Sequence, residues 1–218
     1  MKSPRLVVYD LDGTLVDTLQ DITNAANYLL SQMQAASLTP NQVRRFVGRG
    51  IHQLVGECLK TDDAGLVAEG MRIYRAYYQQ HLADNSKLYP GARQALDYFK
   101  TRVQAVISNK PNPYSTDLLK ALGVEGYFMD IIGGDSPYPR KPDPASLNAV
   151  MERAGVSPHE AVMIGDSPID VEMGRQAGVA VVTVTHGLAD RDELVAAQPE
   201  AIVDSFQALI ALAKTQGW

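Results

Sequence analysis

The sequence predicts an α/β protein: a doubly wound parallel sheet with an inserted helical cap domain. Three observations carry this reading. From Tyr89 onward, short apolar runs alternate with single helical segments, the pattern of right-handed crossovers between parallel strands. Residues 18–85 show helical periodicity and almost no strand signal. Polar residues able to do chemistry follow the predicted strands or lie on the loops after them. The expected division is a core domain of residues 1–17 and 86–218 and a cap of residues 18–85.

Leu6-Val7-Val8-Tyr9 has the length and β-branched content of a buried parallel strand, and it breaks into Asp10-Leu11-Asp12-Gly13-Thr14. Beyond Asp17, Ile22, Ala25, Ala26, Leu29, Leu30 and Met33 recur at helical spacing. The segment from Ala35 to Pro40 ends that helix. Thr39-Pro40 opens a short second one, with proline in its first turn, through Val43, Phe46 and Val47. After Gly48-Arg49-Gly50 a third helix carries Ile51, Leu54, Val55, Cys58 and Leu59. A fourth, from about Leu66 to Leu82, sets Val67, Gly70, Met71, Tyr74, Tyr78 and His81 on one face.

Pro90-Gly91 turns the chain into a helix through Ala92, Ala95, Leu96 and Phe99. Val103 to Ile107 reads as the second core strand, ending in Ser108-Asn109-Lys110-Pro111. A helix from Pro113 to Leu122 stops at Gly123. Phe128 to Ile132 is the expected third strand, Ala161 to Ile164 the fourth and Val179 to Val184 the fifth. Ala201 to Val203 adds a short last one before a helix through Phe206, Leu209 and Ile210. A proline-rich loop with Lys141 leads into a helix ending near Gly155, and Gly165-Asp166 opens another that Gly178 closes. Ligands of such sheets bind beyond the carboxyl ends of the strands, where the strand order reverses. Asp10, Asp12, Ser108, Lys141 and Asp166 can therefore converge on one edge.

Composition narrows the function. With 45% hydrophobic and 21% charged residues, the 218-residue chain has material for a sizeable core. A net charge of −5 argues against a general nucleic-acid or anionic-membrane binder. No apolar run approaches the ~18 residues of a membrane span. A single cysteine, Cys58, excludes an intramolecular disulfide framework and a cysteine-based zinc cluster, and its helical setting makes it a small core residue. Met1-Lys2-Ser3-Pro4 runs straight into the first strand, so no secretory leader is expected and a reduced, cytoplasmic location is the default.

Asp10 and Asp12, two residues apart beyond a strand, point into one crevice if the backbone stays extended. Two anions that close persist with a cation between them or a proton on one of them. Mg²⁺ on one or two carboxylates, with sites left for phosphate oxygens, meets that need. The alternative for such an acidic turn is simple capping of the next helix.

D-x-D-G-T-x-x-D-T, from Asp10 to Thr18, resembles the first motif of the haloacid dehalogenase superfamily, whose members are mostly phosphatases. Ser108 matches its second motif, Lys141 its third, and Gly165-Asp166-Ser167-Pro168-Ile169-Asp170 its fourth, in family order across the whole chain. The helical insertion directly after the first motif resembles the subgroup of phosphoglycolate phosphatase and its relatives, whose cap closes over the site. The resemblance implies an aspartyl-phosphate mechanism with Mg²⁺ as cofactor and a small-molecule phosphate ester as substrate, in a monomer or homodimer. It makes Asp10 the nucleophile and a metal ligand. Asp12 becomes the acid that protonates the leaving oxygen and then takes a proton from water, its backbone carbonyl also on the metal. Ser108 binds a phosphate oxygen, with Asn109 either a further donor or a residue that satisfies backbone groups in its loop, and Thr14 fixes the turn through side-chain bonds to backbone beside the substrate. Lys141 neutralises phosphate charge, with Lys110 the competing lysine. Asp166 ligates Mg²⁺, and Asp170 holds a metal-bound water or orients Lys141.

The same residues separate neighbouring activities. Dehalogenases lack the second acid that Asp12 supplies. Mutases of the β-phosphoglucomutase type usually carry a histidine near the position of Ile22, where none of His52, His81, His159 and His186 lies. Phosphonoacetaldehyde hydrolases form an imine with a cap lysine, for which Lys60 and Lys87 are the candidates. Sugar-phosphate phosphatase and pyrophosphatase remain alternatives. A non-enzymatic phospho-receiver shares the Asp, Ser/Thr and Lys set but has no helical insertion, and a degenerate binding module would be expected to lack one of Asp10, Asp12, Lys141 or Asp166. In the basic cap stretch from Val43 to Gly50, Arg45 or Arg49 is expected to contact the substrate's far end, while Tyr74, Tyr77 and Tyr78 are packing residues or an inner cap face.

Overall fold

The computed structural model describes residues 3–218. Met1 and Lys2, the start of the expected lead into the first strand, lie outside the described residues. Leu6–Tyr9 (β1) is fully buried. A two-residue antiparallel ribbon of Val16–Asp17 (β2) and Lys87–Leu88 (β3) follows, pairing Val16 with Leu88. The sequence signal had missed it, because a two-residue strand is too short to show periodicity. It forms the stem through which the chain leaves the sheet and returns.

Between the two halves of the stem lie four helices, Leu19–Gln32 (α1), Pro40–Arg44 (α2), Ile51–Leu59 (α3) and Ala64–His81 (α4). α1 packs on α4 and α3 on α4, with Leu29, Val55, Val67 and Tyr74 buried between them. Cys58 is a buried free thiol in this layer. One buried acid ties the layer to the stem. Asp21 accepts from the backbone and side chains of both Asn85 and Ser86 at 2.7–3.1 Å.

The remaining strands are Val103–Ile107 (β4), Asp130–Ile132 (β5), Ala161–Gly165 (β6), Ala180–Val184 (β7) and Ala201–Val203 (β8). With β1 they form a six-stranded parallel sheet in the order β5-β4-β1-β6-β7-β8. The expected strand from Phe128 starts only at Asp130, because Glu125–Tyr127 takes a 3₁₀ turn first. Alternation along β1 sorts its side chains onto two faces. Val7 and Tyr9 join a core with helices Ala92–Tyr98 (α5), Asn112–Ala121 (α6) and Phe206–Gln216 (α10). Leu6 and Val8 join the other, against Ala145–Ala154 (α7) and Pro168–Ala177 (α8). Arg191–Ala197 (α9) precedes the last strand. The chain winds from β1 out to β5, then returns to β1's other side at β6. The order therefore reverses at β1, with Asp10 one residue past its end. Among the described residues no helix is long and apolar enough to cross a membrane.

Candidate active site

Asp10, Thr14, Ser108, Asn109, Lys110, Lys141, Asp166 and Asp170 are all buried, which is unusual for so many polar groups unless they satisfy one another. Their partners show how. Lys141 reaches from the proline-rich loop to Asp10 Oδ1 at 2.7 Å and Asp170 Oδ1 at 2.8 Å. Burial works against charge on that ammonium, but the two carboxylates outweigh it and hold it above its ordinary range. Asp10 Oδ1 also accepts from the Leu11 amide at 2.6 Å. Both contacts fall on Oδ1, and Oδ2 takes neither.

Asp166 Oδ1 accepts from Thr14 Oγ1 at 2.6 Å, and Oδ2 from the Leu188 amide at 2.7 Å. The sequence suggested bonds from Thr14 to backbone; its hydroxyl goes to this carboxylate instead. Close approach is possible because glycines flank Asp166. A Cβ at Gly13, whose φ is +88°, or at Gly187 would collide with its carboxylate. Asp170 Oδ2 accepts from the Ser167 amide and hydroxyl and the Asp166 amide, a reciprocal cap at the start of α8. Its Oδ1 faces Lys141. Capping and lysine orientation are thus performed by one side chain.

Asp10, Asp166 and Asp170 each offer a carboxylate oxygen within 4.8 Å of the others. Burial lifts the Asp10 carboxyl to about 7, against the pull of Lys141. It lifts Asp166 to about 8, with the charges of Asp10 and Asp170 adding to the effect. Crowded acids that resist ionisation are an all-oxygen donor set lacking positive charge, and a hard divalent cation fits it. The Asp12 carboxylate stands apart from the triad, paired with Lys110.

Two cavities meet at these residues, and Asp10, Asp12 and Lys141 line both. The inner one, about 40 Å³, lies against cap residues including Ile22, Leu54, Tyr74 and Tyr78, with Ser108 on the core side. The outer one, about 670 Å³, includes Asp166, Arg45, Arg49 and the 188–190 loop.

A family model described as haloacid dehalogenase-like hydrolase matches residues 7–184. The phosphoglycolate phosphatase of Rhodospirillum rubrum is 37% identical over 216 residues, covering 94% of this chain and 89% of that protein. The phosphoglycolate phosphatase of Pseudomonas savastanoi pv. phaseolicola is 37% identical over 218 residues, covering 96% and 79%. Among solved structures, a predicted phosphoglycolate phosphatase from Haemophilus somnus 129pt superposes with a TM-score of 0.92 at 27% identity, covering 97% of this chain and 99% of that one. The chain belongs to the haloacid dehalogenase-like hydrolases. Its enzyme class is phosphoric monoester hydrolase.

Against this family frame, the remaining sequence candidates separate. Asn109 spends its amide on backbone: Nδ2 donates to Gly48 O and Lys141 O, and Oδ1 accepts from the Lys141 amide. It fixes the Lys141 loop and touches the cap. Arg45 and Arg49 are exposed on the outer cavity, with no ion-pair partner among the described residues. Tyr74 and Tyr78 line the inner cavity, whereas Tyr77 stacks between Tyr28 and His81 outside it. Lys60 and Lys87 are exposed and line neither cavity.

Sequence reasoning missed Arg44. From α2 it donates to the carbonyls of Leu188, Gly187 and Ala189, at 2.5, 3.3 and 3.2 Å, and to Asp190. The same loop delivers the Leu188 amide to Asp166. Nothing local marks Arg44 among its neighbouring arginines; its partners lie more than 140 residues away.

Proposed function

We propose that the protein is a Mg²⁺-dependent phosphatase that hydrolyses a small phosphate monoester, 2-phosphoglycolate or one like it, through an aspartyl-phosphate on Asp10. The observation that carries this is the junction of the cavities. The two acids that the reaction uses, with Lys141, face a small cavity on the cap side and a larger one toward the acidic triad. Relatives named phosphoglycolate phosphatase support the substrate class.

Asp10 and Asp166 would hold the metal, with Asp170 behind them; when bound, it supplies positive charge beside the phosphoryl oxygens. Asp10 Oδ2 attacks phosphorus in line with the ester oxygen, and the P–O bond to the alcohol breaks. Asp12 gives its proton to the departing oxygen. Lys141 and the Ser108 hydroxyl hold phosphoryl oxygens, and Lys141 offsets charge repulsion between Asp10 and the ester. Asp12 then takes a proton from a water that attacks the aspartyl-phosphate, releasing phosphate and restoring Asp10.

The inner cavity bears on the alternatives. Its 40 Å³ takes about three waters at ~10–15 Å³ each, which suits a two-carbon remnant and excludes a hexose while the cap is closed. No histidine lines either cavity, which weighs against the mutase reading. A kinetic screen with Mg²⁺ over phosphoglycolate, sugar phosphates, nucleotides, pyrophosphate and p-nitrophenyl phosphate tests the proposal. Hydrolysis of none of them overturns it; a sugar phosphate as best substrate overturns its substrate class.

A further inference from the structure

Two lysines reach the inner cavity, and they are held differently. Lys141 bridges two carboxylates. Lys110, nine-tenths buried, has one carboxylate partner, Asp12, at 2.9 and 3.2 Å, and lies 4.7 Å from the centre of the Tyr78 ring. Its neighbours in the cap are apolar or aromatic: Ile22, Leu54, Tyr74 and Tyr78. A second oddity sits beside it. Tyr78 lines the cavity, and its buried hydroxyl has no hydrogen-bond partner among the described residues. Buried polar groups are normally satisfied, so an orphaned hydroxyl on a cavity-wall ring whose face meets an ammonium points to an acceptor that arrives with a ligand.

We infer that Lys110 and Tyr78 form the specificity site for a second anionic group on the ester's alcohol portion, one or two carbons from the ester oxygen. This rests on the phosphatase reading above and assigns to it the residues that select the substrate. When Asp12 carries the proton it is to donate, the Lys110 ammonium is left beside apolar cap side chains, so an anion gains there and an uncharged polar group does not. It lies next to Asp12, which places the second anion within a short acid's length of the leaving oxygen. Its size admits a carboxylate on a short stem and not a chain of sugar carbons. The exposed Arg45 and Arg49, expected from sequence to do this, stand on the outer cavity, where charge is screened by water.

The test compares kcat/KM for 2-phosphoglycolate and ethyl phosphate, which differ by carboxylate against methyl. The wild-type protein should prefer the carboxylate ester on the order of 10²-fold. Lys110→Met should reduce that ratio to near one, by losing far more activity on phosphoglycolate than on ethyl phosphate. Lys110→Arg should keep part of the preference and Tyr78→Phe should narrow it several-fold, whereas Arg45→Ala/Arg49→Ala should preserve the ratio. If Lys110→Met does not fold, the wild-type, Lys110→Arg and Tyr78→Phe ratios decide. Hydrolysis of both esters without preference overturns this inference and leaves the phosphatase reading standing. So does an equal loss on both esters in Lys110→Met, or collapse of the ratio in the double arginine variant. Hydrolysis of neither ester nor of p-nitrophenyl phosphate removes the phosphatase reading itself.

Discussion

Asp10 is placed by three constraints that act on different atoms. Its amide continues the sheet ladder to Ile164 O at 2.9 Å, its Oδ1 is held by Lys141 and the Leu11 amide, and its Oδ2 takes neither contact. Asparagine has nearly the same shape, but its side-chain amide is a far weaker nucleophile than a carboxylate. Asp10→Asn should lower kcat on the order of 10⁴-fold with an unchanged circular dichroism spectrum. Activity within tenfold of wild type, measured by phosphate release, would remove Asp10 as the nucleophile. Thr14 illustrates a different residue-level lesson. A threonine after Asp-x-Asp-Gly looks like a turn residue, yet the hydroxyl's actual partner, Asp166, is 152 positions away.

At the scale of elements, two of the attachments between cap and core differ in character. At the stem, Asp21 is almost fully buried and gathers four donor groups from Asn85 and Ser86. Asp21→Ala leaves those donors without an acceptor and should cost about 2 kcal/mol or more, read by urea unfolding. Burial alone would raise this carboxyl, but the bonds from Asn85 and Ser86 outweigh it and hold it below its usual value. Its contribution is therefore complete above the unfolded carboxylate's ~3.9 and lost as pH falls through the lower folded value, so the gap between wild type and variant should close below about pH 4. A gap constant down to pH 2 would contradict that assignment. Another attachment, Arg44 on the 187–189 carbonyls, joins two surface segments. Arg44→Gln should weaken closure, raising KM several-fold and speeding hydrogen exchange of the Leu188 amide. An unchanged exchange rate would show that Arg44 is no latch. Elements of this kind mark how far the sequence could be read. The four acids, Ser108 and Lys141 stood out because each follows a strand in a recognisable order. The stem ribbon, Arg44 and the Lys110–Asp12 pair did not, because each exists only where segments distant in sequence meet.

On the scale of the whole molecule, the fold gathers carboxyl groups where little of their surface meets water. Ending β1 and β6 side by side brings Asp10 and Asp166 together at the point where strand order reverses, and the cap then covers them. Neither carboxylate ionises readily in that setting. Burial, the largest influence on both, holds Asp10 to about 7 and Asp166 to about 8, even with Lys141 charged nearby. Both folded values are above the unfolded ~3.9, so the folded metal-free protein binds protons that the unfolded chain releases. That contribution to stability is full below about pH 4 and is lost as pH rises through 7 and 8. In chelator, the thermal midpoint should therefore fall between pH 6 and pH 9. A divalent cation that replaces those protons binds only the folded arrangement and should restore the midpoint most at pH 9 and least at pH 6. Differential scanning fluorimetry with and without millimolar Mg²⁺ reads both. A chelated midpoint that rises across this range, or a Mg²⁺ gain that is the same at each pH, would show that the triad is not the ion's site.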